Sequence, residues 1–514
     1  MTQEKTRRLS PWRVMLAIFI VVGVGIGGFA SFRWWKSEQL EVSHKPWFAS
    51  YVDVTSTPTY AFEQLGKTDH KDVMLSFIVS STSKDCVPSW GGSFTLDRAS
   101  DSLDLDRRIA RLKQQGGNVA VSFGGLKNKE LASSCSDVAS LKAAYRSVID
   151  RYGLDTIDLD IEQGNLTDSA ASVRRADAIA QLQTERRAAG KPLAVWLTLP
   201  VAPTGLSEAG TTAVSQMLAK KVDIAGVNAM TMDYGQSLNG LTMINAAKKA
   251  LTSTHRQLSV LYQRAGIHLN DATLWTKIGA TPMIGQNDFE DEVFNLDDAS
   301  QLNKFAHENG IARMSMWSAN RDVECGSNYT TTKIVSDSCS GIKQGAGAFA
   351  RALGASFGGS FTRSAGAVTS ADPAAKQVKD DPATSPYQIW SEDGTYLQGT
   401  KVVWHHNVYE AKWWTQGDQP DNPVLQDWQT PWTLLGPVLP GEKPVKQATL
   451  PEGTYPDWSG SAEYDTGQRI LFKGAPYQAK WWNKGQSPAA ASSNPDSSPW
   501  VPLTQAQINE IEGQ

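Results

Sequence analysis

Ten residues, 154–163, read LDTIDLDIEQ and carry four acids: Asp155, Asp158, Asp160 and Glu162. Successive side chains of a strand point to opposite faces. A strand here therefore puts Asp158, Asp160 and Glu162 on one face and Ile157, Leu159 and Ile161 on the other. Neighbouring acids on that face lie about 6.6 Å apart, two strand rises. At that distance their charges repel, and at least one keeps its proton near neutral pH. A protonated carboxyl beside an ionised one is the equipment of general acid catalysis. An EF-hand loop would need Gly at its sixth position and Glu at its twelfth. Counted from Asp155, those places hold Asp160 and Leu166.

Strand-like runs near 48–54, 73–79, 118–123, 156–162, 193–200, 224–230, 278–285 and 311–317 alternate with amphipathic runs such as 105–115, 141–152 and 173–189. Eight such alternations predict an α/β fold, a (β/α)8 TIM barrel over 45–355, with functional residues at the C-terminal strand ends. A doubly wound open sheet is the alternative, but no GxGxxG follows the first strand.

Asp155-x-x-Asp158-x-Asp160-x-Glu162 resembles the DxxDxDxE signature of family 18 glycoside hydrolases, the chitinases and their relatives. Other strand ends agree. Ser122-Phe123-Gly124-Gly125 resembles the family's SxGG motif, its glycines letting backbone pass close beneath the acidic strand. At the sixth strand end, residues 230–235, Asp233 falls on the Asp of the family's MxYD motif. Met232 stands where the family has Tyr, with Tyr234 as the candidate stand-in. Trp317 matches the Trp under the reacting sugar, and Gln286 and Trp90 are further substrate-binding candidates with Met232, Ser122 and Gly124.

The resemblance implies retaining hydrolysis of chitin by substrate assistance, an exception to the two-carboxylate scheme. Glu162 would be general acid and base, and Asp160 would hold the substrate acetamide. Asp158 would support Asp160 and share a proton with it, while Asp155 lies off the face. The alternatives are a hydrolase of another N-acetylglucosamine glycan (peptidoglycan or N-glycan) and a silent lectin, although lectins of this fold typically lose the Glu found at 162.

After a Gly/Ser/Ala-rich linker at 356–385, the chain repeats itself with a shift of 68 residues and no gap. Tyr409 and the Trp413-Trp414 pair fall on Tyr477 and the Trp481-Trp482 pair. The two units, 386–437 and 454–505, resemble family 5/12 chitin-binding modules, small and all-β. Their aromatics are the expected sugar-stacking residues, one Trp of each pair packing inside and the other facing ligand.

Four basic residues precede an uncharged run at 14–32. This predicts a single-pass inner-membrane anchor with the remainder outside the cytoplasm; secretion after cleavage is the alternative. The four cysteines fit an oxidising compartment, with Cys86–Cys135 and Cys325–Cys339 as the expected pairs. A net charge of −4 gives no reason for a nucleic-acid partner. The seven His lack metal-site spacing, so no metal or cofactor is expected, and the chain is expected to be a monomer.

Overall fold

The computed structural model describes residues 45–64, 70–329, 331–361, 379–439, 441–444, 448–489 and 498–513. The chain divides into two compact units, Met1–Ala371 and Asp372–Gln514.

In the first unit, eight parallel strands close on themselves: β1 (Trp47–Asp53), β2 (Val73–Ser80), β3 (Val119–Gly124), β4 (Thr156–Asp160), β5 (Ala194–Ala202), β6 (Ile224–Met230), β7 (Ile278–Thr281) and β8 (Arg313–Met316). Each pairs with its successor, and β8 returns to β1. This is the expected barrel. β7 stops short of the predicted 285 because Pro282 has no N–H to give, although pairing resumes just beyond it, where Met283 bridges Trp317 and Ile284 donates to the Trp317 carbonyl at 3.1 Å.

Helices α1 (Leu105–Gln114), α2 (Val138–Tyr152), α3 (Ser169–Ala188), α4 (Glu208–Ala219), α5 (Met243–Arg264) and α6 (Leu296–Asn309) lie between the strands. α2 and α3 start earlier than their apolar periods suggest. Asp137 and Asp168 cap them by accepting the backbone N–H of Ser140 and Ala171.

The barrel lumen is filled rather than hollow. Trp47, Ala49, Tyr51, Met74, Ala120 and Trp196 form its lower core with Phe361. Phe361 stacks edge-on against Trp47 at 5.3 Å, and its carbonyl accepts the Thr156 hydroxyl. Phe357 is equally buried. The barrel unit thus runs past 355, and the expected linker is shorter. At its other end, Asp380 accepts the backbone N–H groups of His405 and His406. Both expected disulfides are present, with Cα atoms 4.6 Å apart for Cys86–Cys135 and 5.0 Å for Cys325–Cys339.

The second unit contains two antiparallel three-stranded sheets: β9 (Lys401–Trp404), β10 (Asn407–Ala411) and β11 (Trp432–Pro437), then β12 (Arg469–Phe472), β13 (Ala475–Ala479) and β14 (Trp500–Pro502). Two of the expectations fail here. Tyr409 and Tyr477 are buried in the small cores instead of facing ligand. Both members of each Trp pair face solvent, at 43% and 56% exposure for Trp413 and Trp414 and 42% and 56% for Trp481 and Trp482. Strand alternation no longer applies past Ala411 and Ala479, where β10 and β13 end.

The membrane expectation is also corrected. No helix among the described residues is long and apolar enough to cross a membrane, and 14–32 lie outside the described residues. The inner-membrane placement is withdrawn.

Candidate active site

β4 delivers the acids as its alternation requires. Asp158 and Asp160 are buried on the lumen side, while Ile157, Leu159 and Ile161 are buried behind them. Glu162 lies two residues past the last paired residue of β4, but its backbone stays extended (φ −126°, ψ 160°), so it remains on the same face. Ile161 continues the ladder by donating to the Thr198 carbonyl at 3.0 Å. Asp155 is off the row, ion-paired with Arg186 at 3.3 Å.

The glycines at the end of β3 are needed for close approach. Gly124 has φ +106°, and a Cβ there would sit 2.0 Å from the Asp160 carbonyl oxygen. Gly125 donates its N–H to that same oxygen at 2.9 Å and packs under the Phe77 ring. Phe77 stacks on the half-buried Trp317 at 5.4 Å, and Tyr51 meets Trp317 at 6.1 Å. An aromatic floor therefore lies beside the acid row.

Burial, then Asp233 and Asp288, push the Glu162 carboxyl up to about 7. Burial, then Glu162 and Asp158, push Asp160 well above the usual carboxylate range. Asp233 rises to about 6, chiefly by burial, and its Oδ1 accepts the Asp288 N–H at 2.8 Å. A carboxyl near 7 is poised both to give and to take a proton at neutral pH.

Several expected contacts lie elsewhere. Trp90 is fully buried and its indole N–H is spent on the Tyr152 hydroxyl at 3.0 Å, so it braces a short hairpin against α2. Ser122 is fully buried and donates to Asp158 at 2.7 Å. The Gln286 amide N–H groups go to carbonyls of their own loop, including Phe289 at 2.8 Å. Met232 is buried. The Tyr234 hydroxyl is buried without a hydrogen-bond partner, and the charge acting on it is Glu292.

Arg313, Tyr51 and Thr198, which surround Asp158, are missing from the sequence reading. A signal existed: Arg313, Ser315 and Trp317 share one face at a spacing of two. No group of His, Cys, Asp and Glu among the described residues could hold a metal ion.

A closed barrel with a proton-carrying acid row at the C-terminal end of its fourth strand, beside an aromatic floor, has the layout of a glycoside hydrolase. The comparisons narrow the class. A catalytic domain of the chitinase from Pyrococcus furiosus, known from crystal structures, is 30% identical and covers 62% of this chain and 97% of its own, with a TM-score of 0.53. A probable bifunctional chitinase/lysozyme of Escherichia coli is 33% identical over 311 residues, 57% of this chain and 33% of that protein. Endochitinase 11 of Metarhizium anisopliae is 33% identical over 304 residues, 56% of this chain and 55% of that protein. The chain thus spans about a third and about half of these curated relatives. No protein-family model matches it. The chain belongs to the family 18 glycoside hydrolases, the chitinase family.

Proposed function

We propose that this chain is an endo-acting chitinase, which cleaves β-1,4-linked N-acetylglucosamine polymers with retention through substrate assistance. The observation that carries the reading is Glu162, held at the open end of β4 with its carboxyl near 7. Glu162 gives its proton to the glycosidic oxygen. The carbonyl oxygen of the substrate's own 2-acetamido group attacks C1, so the C1–O bond breaks as an oxazolinium ring forms. Asp160 accepts the acetamide N–H and steadies the positive charge. Glu162, now ionised, takes a proton from water as it opens the ring, giving the same anomer as the substrate. Trp317 floors the reacting sugar, Asp233 tunes Glu162, and the partnerless Tyr234 hydroxyl is the donor in place of the family tyrosine.

The printed names of the relatives favour chitin, and the E. coli name adds cell wall as a second substrate class. The paired exposed tryptophans support reading the small sheets as two chitin-binding modules. The test sets wild type and Glu162→Gln on chitin oligosaccharides and on purified peptidoglycan. General acid catalysis contributes ~10²–10⁴-fold, so Glu162→Gln should fold normally and lose at least that much on chitin. Wild-type turnover on peptidoglycan alone would overturn the chitin assignment.

A further inference from the structure

The two small modules share a core but not a surface. With the shift of 68 residues, Trp432 falls on Trp500. Each is buried and gives its indole N–H to a loop carbonyl, Asp418 at 2.8 Å and Gln486 at 2.7 Å. The backbone N–H of Lys412 donates to Pro431 at 2.6 Å, and that of Lys480 to Pro499 at 2.7 Å. The Trp pairs are exposed to nearly the same extent in both modules. The stretch before the buried Trp differs. Residues 426–430 read QDWQT and 494–498 read NPDSS, so Trp428 stands where the repeat has Asp496.

Trp428 is the most exposed aromatic side chain among the described residues, at 61%. Its turn, Asp427–Gln429, is nevertheless pinned. The Gln429 side chain accepts the backbone N–H groups of Leu425 at 3.1 Å and Gln426 at 3.0 Å. The Lys412 ammonium pairs with the Asp427 carboxylate at 3.0 Å. It also donates to the carbonyl that joins Asp427 to Trp428, and to the Thr430 carbonyl at 3.2 Å. Lys412 precedes Trp413 in the chain, and the same ammonium lies 5.7 Å from the centre of the Trp413 ring. Trp413, Trp414 and Trp428 therefore belong to one patch, gathered around one lysine. In the second module Pro495 stands at the place of Asp427 and has no carboxylate to offer.

A single exposed Trp needs no explanation, but a cluster of them marks a binding surface. Fixing the turn in advance lowers the ordering cost of any contact that Trp428 makes. The charge of Lys412 is paired with Asp427, so the patch offers flat apolar faces rather than a free cation, which suits a neutral ligand. The C–H faces of β-linked pyranose rings are such partners. We propose that Trp428 is a third sugar-stacking residue of the first module, so that this module grips a longer run of an N-acetylglucosamine chain than the second and supplies most of the retention on chitin. The inference rests on the reading of the small sheets as chitin-binding modules.

The test is a set of binding isotherms of the full chain on insoluble chitin, every chain carrying Glu162→Gln so that the surface is not consumed. With the second module silenced by Trp481→Ala and Trp482→Ala, Trp428→Ala should weaken binding about tenfold, the loss of one aromatic contact. Trp428→Phe, which keeps an aromatic face, should restore most of it. Silencing the first module instead, by Trp413→Ala and Trp414→Ala, should cost more binding than silencing the second. In ¹⁹F NMR of the chain labelled with fluorotryptophan, the signal lost in Trp428→Phe should shift when a soluble chitin oligomer is added. An unmoved Trp428 signal, or unchanged binding in Trp428→Ala while the Trp413 and Trp414 changes abolish it, would overturn the third contact and leave the module reading standing. Retention indifferent to both Trp pairs would overturn the module reading, and this inference with it.

Discussion

Glu162 keeps a proton near neutral pH mainly because it is buried, and secondarily because Asp233 and Asp288 set negative charge against it. A general acid must be protonated in the free enzyme, so kcat/KM should fall as pH rises through about 7. Asp233→Asn removes one of the repelling charges, so it should lower the Glu162 value and move the basic limb to lower pH. A pH–rate profile on a soluble chitin oligomer checks this, and an unmoved or alkaline-shifted limb would remove Asp233 from the role. The acids themselves were legible because strand alternation sorts them from the aliphatics. Arg313 was legible only through the face it shares with Ser315 and Trp317, and its place in the lumen follows only once its partner across the barrel is known. That partner, Asp158, is 155 residues away in sequence.

At the scale of elements, the turn leaving β3 fixes the height of β4. The Gly124 backbone at φ +106° lies against the Asp160 carbonyl, a conformation and a clearance that a side chain does not permit. Gly124→Ala should therefore cost more than about 1 kcal/mol in denaturant unfolding, and it should lower kcat by tilting Asp160. Equal stability and activity in that variant would mean that the approach is dispensable. The sequence showed the pair of glycines and their purpose, and apolar alternation showed the strands to within a few residues. Helix starts were missed where the cap lies outside the periodic stretch, as at Asp137 and Asp168. The linker's start was misplaced because Phe357 and Phe361 are isolated apolar residues in a Gly/Ser run with no period, and only their packing, Phe357 on His307 of α6 and Phe361 on Trp47 in the barrel floor, reveals them.

Across the whole molecule, the repeat was visible by alignment of the chain with itself, but which aromatics face outward was not. Tyr409 and Tyr477 fill cores too small to spare them, leaving the Trp pairs outside. Two weak sites on one chain raise avidity on a repeating surface by ~10²–10⁴-fold. Removing the second unit, Asp372–Gln514, should therefore abolish retention on insoluble chitin and leave turnover of soluble oligomers nearly unchanged. A pull-down in which the barrel alone binds as tightly as the full chain would contradict that division of labour. In the proposed mechanism the substrate's acetamide, and not a directly attacking water, displaces the leaving sugar. This step is tested most directly by ¹H NMR of the first product released from a chitin oligomer, read before the anomers equilibrate. The β anomer is predicted; an α anomer appearing first would contradict the mechanism.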